Sequence, residues 1–227
     1  MLMVMEIVVS YFSNSGFKKL IYRPIPHIYH KLPSEEDLYA LFRMDARLVG
    51  RNISSTLDLN KPLKLYHDRQ TAINKAYRKG VYILPSENFE NFWRILESNL
   101  WHTHKAVPVH TLEEISSLAT SFPEKIKLFG AFIDGEMVAG IVLYIEIPTI
   151  HAQYISASQD GKRSGAVDML VDYLKEYRLL EDHPDAKYFD LGTSNADGGQ
   201  VLNDSLIYQK EGFGGRGVCY DSYEITL

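Results

Sequence analysis

The chain has 227 residues, 45% of them hydrophobic and 23% charged, an ordinary balance for a folded protein with a core of its own. Its net charge of -5 gives no overall basic field, so a nucleic-acid partner needs a local basic patch. One cysteine, Cys219, excludes an internal disulfide, and no stretch reaches the roughly 20 apolar residues of a spanning helix.

Residues 1–9 are apolar but hold Glu6 and lack a basic start or a small-residue cleavage site. Residues 4–12 read as a buried strand. Ser34, then Glu35, Glu36 and Asp37, precede the spaced Leu38, Leu41 and Phe42; this predicts a short helix capped by Ser34, with acids at its positive end. Residues 53–59 read as extended. Ile73, Ala76 and Tyr77 give residues 67–79 helical spacing, with Gly80 as a stop. A short strand over 81–84 ends at Pro85. Phe89, Phe92, Trp93, Leu96 and Leu100 share one helical face and read as core. Thr111 with Glu114 forms a capping-box pattern for a helix to about residue 122.

Strands dominate from residue 126. Residues 126–133 and 137–147 flank Asp134-Gly135, a hairpin signal, and 149–156 is a third strand. A helix over 167–177, a strand over 187–191, a helix over 202–211 and a strand over 218–226 follow. This order predicts an α/β (α+β) fold with a mixed central sheet flanked by helices. The chain divides near residue 79, into 1–79 and 80–227.

Three stretches carry candidate chemistry. Between a strand and a helix stand Gly161, Lys162, Arg163, Ser164 and Gly165. Glycines admit a close ligand, a helix start offers unpaired N–H groups, and the two cations suit phosphate. A plain loop with solvated basic residues is the alternative. Asp190, Thr193 and Asn195 follow a strand end, where open α/β sheets bind ligands. Asp190 fits a general base or an orienter of a substrate amine, and equally a strand-end residue serving local N–H groups. Lys210 precedes Gly212 at a helix end; it either complements the helix dipole or reaches a phosphate or developing oxyanion.

His151 and Gln153 share a strand face, beside Tyr154, and that face either lines a cleft or is solvated. Arg69, Lys75, Arg78 and Lys79 make a basic helix. His27 and His30 sit in an extended segment and His102 and His104 flank a helix end; none joins a ligand set, so no metal is expected. No nucleophile elbow or phosphate-binding loop motif occurs, which favours direct transfer between bound substrates.

Residues 69–81, 128–140, and 188–194 with 209–214 resemble, in order and spacing, the acetyltransferase-like domain of Fem-type and related GNAT proteins. The resemblance spans residues 66–227. It implies a GNAT-like fold with a partial N-terminal first lobe, and transfer of an acyl or aminoacyl group to an amine. Lys210 matches the family's C-terminal lysine, and Gly161–Gly165 falls where GNAT proteins hold the pantetheine pyrophosphate. The family's glycine pattern is shifted here, and the first lobe is short.

The resulting expectation is a cytoplasmic N-acyltransferase using acetyl-CoA or another acyl-CoA. Lys210, Asp190 and His151 are the catalytic candidates. Gly161, Lys162, Arg163, Ser164 and Gly165 would hold the donor; Gln153, Tyr154, Thr193, Asn195 and Arg69 would contact substrate. The acceptor is a small-molecule amine, a sugar nucleotide or a cell-envelope precursor, without membrane insertion; a homodimer is allowed. The alternatives are aminoacyl transfer from tRNA and a catalytically degenerate binding domain.

Overall fold

A computed structural model describes the backbone of residues 1–227 and all side chains except those of His104 and Tyr177. The sequence reading of His104 therefore lies outside the described residues.

The first 79 residues form α1 (Leu2–Asn14), β1 (Lys19–Tyr22), α2 (Glu36–Arg43), β2 (Arg47–Asp58) and α3 (His67–Arg78). Next come β3 (Tyr82–Ser86), α4 (Phe89–His104) and α5 (Leu112–Ser121). The meander β4 (Ile126–Ile133), β5 (Glu136–Glu146) and β6 (Thr149–Ala157) leads into α6 (Gln159–Ser164) and α7 (Ala166–Tyr173). After a π-turn over Leu174–Arg178 and the short α8 (Leu179–Asp182) comes β7 (Tyr188–Thr193). The two-residue strands β8 (Asn195–Ala196) and β9 (Val201–Leu202), then α9 (Asp204–Gly212) and β10 (Arg216–Thr226), complete the chain.

The strands make one eight-stranded mixed sheet in the order β1-β10-β2-β7-β6-β5-β4-β3, with β8 and β9 paired apart. β1 and β2, both from residues 1–79, are strands of this sheet. β6 and β7 pair in parallel, while the other neighbours in it run antiparallel. The Asp134-Gly135 turn between β4 and β5 has positive φ at both residues, which matches the strand twist.

Helices cover both faces. One core joins Ile141, Leu143, Ile150 and Phe189 of the sheet to Ala76 of α3 and Leu170 and Val171 of α7. The other joins Leu128 and Val142 to Phe92 and Trp93 of α4 and Ile115 of α5. β5 feeds both, so it reads as a nearly continuous apolar run, as central strands do. The predicted core face of α4 and the Thr111–Glu114 capping box are both formed.

Several expectations need correction. The predicted strand over 4–12 is the helix α1, because a short apolar run suits either state. Only Met5 of α1 is buried, against α2 and Ile225, while Met3, Val4, Ile7 and Tyr11 are exposed. Ser34 does not cap α2: Glu35 stands at the cap position without a side-chain cap bond, although Glu36 and Asp37 do occupy the first turn. Pro85 lies inside β3 rather than ending it. That strand is a sheet edge paired only to β4, where a missing N–H is tolerated. His27 begins a 3-10 turn, His27–Tyr29, rather than an extended run. The helix over 167–177 gives way after Tyr173 to the π-turn. Among the described residues, no helix is long and apolar enough to cross a membrane.

Candidate active site

β6 and β7 pair at only three positions: Thr149 with Tyr188, Ile150 with Phe189, and His151 with Asp190. Beyond that last pair the strands diverge. A cleft of about 740 Å³ occupies the gap, walled by the β6 edge, by Gly192 and Thr193 of β7, by Val167 of α7 and by Lys210 of α9. Gln153 is the extra residue of a β-bulge opposite Val142 and Leu143, a device that re-aims side chains, and it lines the cleft.

Asp190 is fully buried beneath the cleft. Its Oδ1 accepts from Ser54 Oγ, from Thr56 Oγ1 at 3.2 Å and from the Gly192 amide at 3.1 Å. Its Oδ2 accepts from His151 Nδ1 at 2.9 Å, Tyr29 Oη at 2.9 Å and Tyr220 Oη at 2.5 Å. Burial alone would raise this carboxyl; the bonds from His151, Ser54 and Tyr220, with the His151 charge, outweigh it and hold it far below the usual carboxylate range. An ionised Asp190 only accepts, so Nδ1 of His151 carries the proton and Nε2 is the basic nitrogen. His151 lines the cleft.

Lys210 is 7% exposed, and its Nζ donates to the carbonyls of Gly192 and Thr193, both at 2.8 Å. Burial pulls its pKa down to about 8, against the upward pull of Asp190. As an ammonium it keeps a third donor for the cleft. The cleft wall also carries Ser156, 3% exposed, whose buried Oγ has no hydrogen-bond partner among the described residues. His151, Asp190, Lys210, Gln153 and Thr193 thus converge on one cavity or its floor.

The stretch around Gly161 is built differently from the expected ligand loop. Residues 159–164 form the short α6, capped by Ser158, whose Oγ takes the Gly161 amide at 3.1 Å. A Cβ on Gly161 would lie 2.1 Å from the Val138 carbonyl oxygen, so this glycine lets α6 press onto β5. Gly165 has φ +82 and passes close to Ala72 of α3. Ser164 is buried and donates to the Gly161 carbonyl at 3.0 Å. Lys162 lines the cleft and donates to Asn99 of α4; Arg163 is exposed, 3.9 Å from Asp160. Lys162 also lines a groove of about 300 Å³ with Arg69, Lys75 and Arg163, and Val167 and Gln209 line both spaces.

Two predicted substrate contacts lie elsewhere, and a third, Arg69, lines the adjoining groove while held in ion pairs. Tyr154 is directed to the opposite face, edge-on to Trp93 at 5.1 Å and 2.7 Å from His110 Nδ1. Asn195 spends both ends of its amide on β2, accepting from the Ile53 amide at 2.8 Å and donating to Asn52 at 2.6 Å. Arg69 bridges α3 to Asp168 of α7 at 2.6 Å and to Asp68 at 2.9 Å. Sequence reasoning missed Tyr29, Ser54, Thr56 and Tyr220. The signal was present in Ser54-Ser55-Thr56, three hydroxyls in a strand whose neighbours are apolar, since buried polar groups need partners. Among the described residues, no group of three or more His, Cys, Asp or Glu is placed to hold a metal.

No family model matches the chain, and no curated protein matches it in sequence. Solved structures do. FemX superposes with a TM-score of 0.73 at 8% identity, covering 99% of this chain and 76% of that one. The fold is GNAT-like, of the Fem type. L-PGS from Bacillus licheniformis shares this Fem-type fold, with a TM-score of 0.67 at 13% identity, over 98% of this chain and 72% of that one. So does the C-terminal domain of a putative lysylphosphatidylglycerol synthetase from Agrobacterium fabrum, with a TM-score of 0.67 at 12% identity over 100% and 73%. The Fem-type fold and the mixed sheet flanked by helices are as the sequence resemblance implied.

Proposed function

We propose that the chain is an N-acyltransferase that moves an acyl group from a phosphate-bearing activated donor, first of all acyl-CoA, to an amine. The observation that carries this reading is the splay of β6 from β7 just beyond the His151–Asp190 pair, with Lys210 on the same cleft. Divergence there leaves the edge of β6 along a cavity large enough for an extended acyl carrier. Lys162 and Arg163 stand at the adjoining groove, where side chains would meet the donor's phosphates.

In this reading His151 Nε2 accepts a proton as the amine attacks the acyl carbonyl, and Asp190 stabilises the imidazolium that forms. Lys210 Nζ donates to the oxyanion of the tetrahedral intermediate. Collapse of that intermediate expels the thiolate, which takes the proton from His151. Candidate acceptors are small-molecule amines, sugar nucleotides and envelope precursors.

The direct test is calorimetry of the purified chain with acetyl-CoA, followed by acetyl transfer to an amine panel. Binding that weakens in Lys162→Ala, and transfer that fails in His151→Ala, support the reading. Absence of heat at millimolar acetyl-CoA rejects the CoA donor.

A second donor, aminoacyl-tRNA, is favoured by the exposed Lys75 and Arg78 of α3 and Lys79 just after it; Lys75 reaches the basic groove. It predicts tRNA binding that falls steeply with salt. No retention of tRNA at low salt rejects it.

A further inference from the structure

Three donors share one oxygen atom on the cleft floor. Asp190 Oδ2 takes His151 Nδ1, Tyr29 Oη and Tyr220 Oη within 2.9 Å. A carboxylate oxygen offers about two lone pairs, so three donors compete for it. The tyrosines come from distant parts of the chain. Tyr29 ends the 3-10 turn, which Thr149 fastens by donating from Oγ1 to the Ile28 carbonyl. Tyr220 lies in β10 and also lines the cleft. Their hydroxyls are 3.0 Å apart and their rings meet edge-on at 6.5 Å.

We propose that Tyr29 and Tyr220 are positioning residues that set how strongly Asp190 holds the protonated ring of His151. The proposal rests on His151 as the proton acceptor of the transfer reaction. Each phenol that donates to Oδ2 withdraws negative charge from the oxygen facing Nδ1. The imidazolium is then held less firmly, and the ring returns its proton more readily in the second half of the reaction. Burial and the Asp190 charge push both phenols well above their usual range, so both stay protonated donors wherever the protein is folded. The other titratable groups around His151 are Asp190 on β7, Lys210 on α9 across the cleft, and Tyr144, its cross-strand partner on β5. Of these, only Asp190 bonds the ring, with Tyr29 Oη 3.3 Å from the same nitrogen.

The experiment is an NMR titration of the His151 ring signals in the full chain, in Tyr29→Phe and in Tyr220→Phe, with His151→Gln identifying the signals. Loss of either hydroxyl moves the titration midpoint alkaline by about half a pH unit or more. The acid limb of the transfer pH profile moves with it. A midpoint that stays in place, or moves acid, in the folded variants overturns the proposal. An alkaline shift in a chain that transfers no acyl group upholds it and sinks the transferase reading instead. Should Tyr220→Phe fail to fold, Tyr29→Phe carries the test, because Tyr29 does not line the cleft.

Discussion

His151 Nδ1 lies 2.9 Å from Asp190 Oδ2 because these two residues form the last parallel pair between β6 and β7. One residue further along, the strands have parted and the cleft begins. The same register that joins the acid to the base therefore opens the space in which they act.

Replacing Asp190 with Asn tests the floor of the cleft. The amide keeps one acceptor oxygen where six donors converge, so either Ser54, Thr56 and the Gly192 amide or Tyr29, Tyr220 and His151 face its NH2 group in a buried site. Stability should drop by about 3 kcal/mol in urea unfolding. The sign of the pH effect follows from the carboxyl being held low in the folded state. Its stabilisation is present above the unfolded value near pH 4 and fades as pH falls below it. Asp190→Asn should lack that acid-side decline, which parallel unfolding curves from pH 5 to pH 2 will show.

Lys210 gives a pH effect of the same sign in a more alkaline window. Its folded value of about 8 lies below the unfolded one, so between the two the unfolded chain binds more protons and stability rises with pH. From pH 8 to pH 10 the rise should reach about 2 kcal/mol in the unsubstituted chain relative to Lys210→Met. The same variant should cut transfer by about 100-fold or more, as loss of one oxyanion donor does. Unchanged turnover removes Lys210 from the chemistry.

Gly161 is the packing glycine of α6. Gly161→Ala forces a methyl into the Val138 carbonyl, and the chain should lose about 3 kcal/mol. Thermal unfolding checks it; a stable variant with weakened donor binding would restore Gly161 as a ligand contact.

Arg69→Ala should act first on stability. Asp168, already raised by burial, loses the guanidinium 2.6 Å away, which costs about 2–4 kcal/mol. Donor affinity, read by calorimetry on the folded variant, should also fall, because Arg69 lines the groove beside Lys162 and Arg163.

Hydrophobic spacing and turn chemistry made much of the fold legible. The aromatic face of α4, the capping box of α5 and the Asp134-Gly135 hairpin rest on neighbours within a few residues, so local order suffices to read them. α1 was misread because an apolar run without periodicity does not declare its partner, and that partner is α2 with Ile225. Asp190, His151 and Lys210 stood out as candidates, yet nothing in their spacing said that they meet.

By itself, the sequence determined the longer elements from α3 onward but not α6, α8, β8 or β9, together with the mixed sheet and the residue types of the candidate chemistry. The tertiary structure alone decided which of those residues face one cavity. Tyr29, Ser54 and Tyr220 reach Asp190 from strands and turns 30 to 161 residues away in the chain. Periodicity carries no information over such separations, because contact there is set by sheet order. The same packing gives Tyr154 and Asn195 partners within the protein and presses Gly161 onto the Val138 carbonyl at the edge of the basic groove.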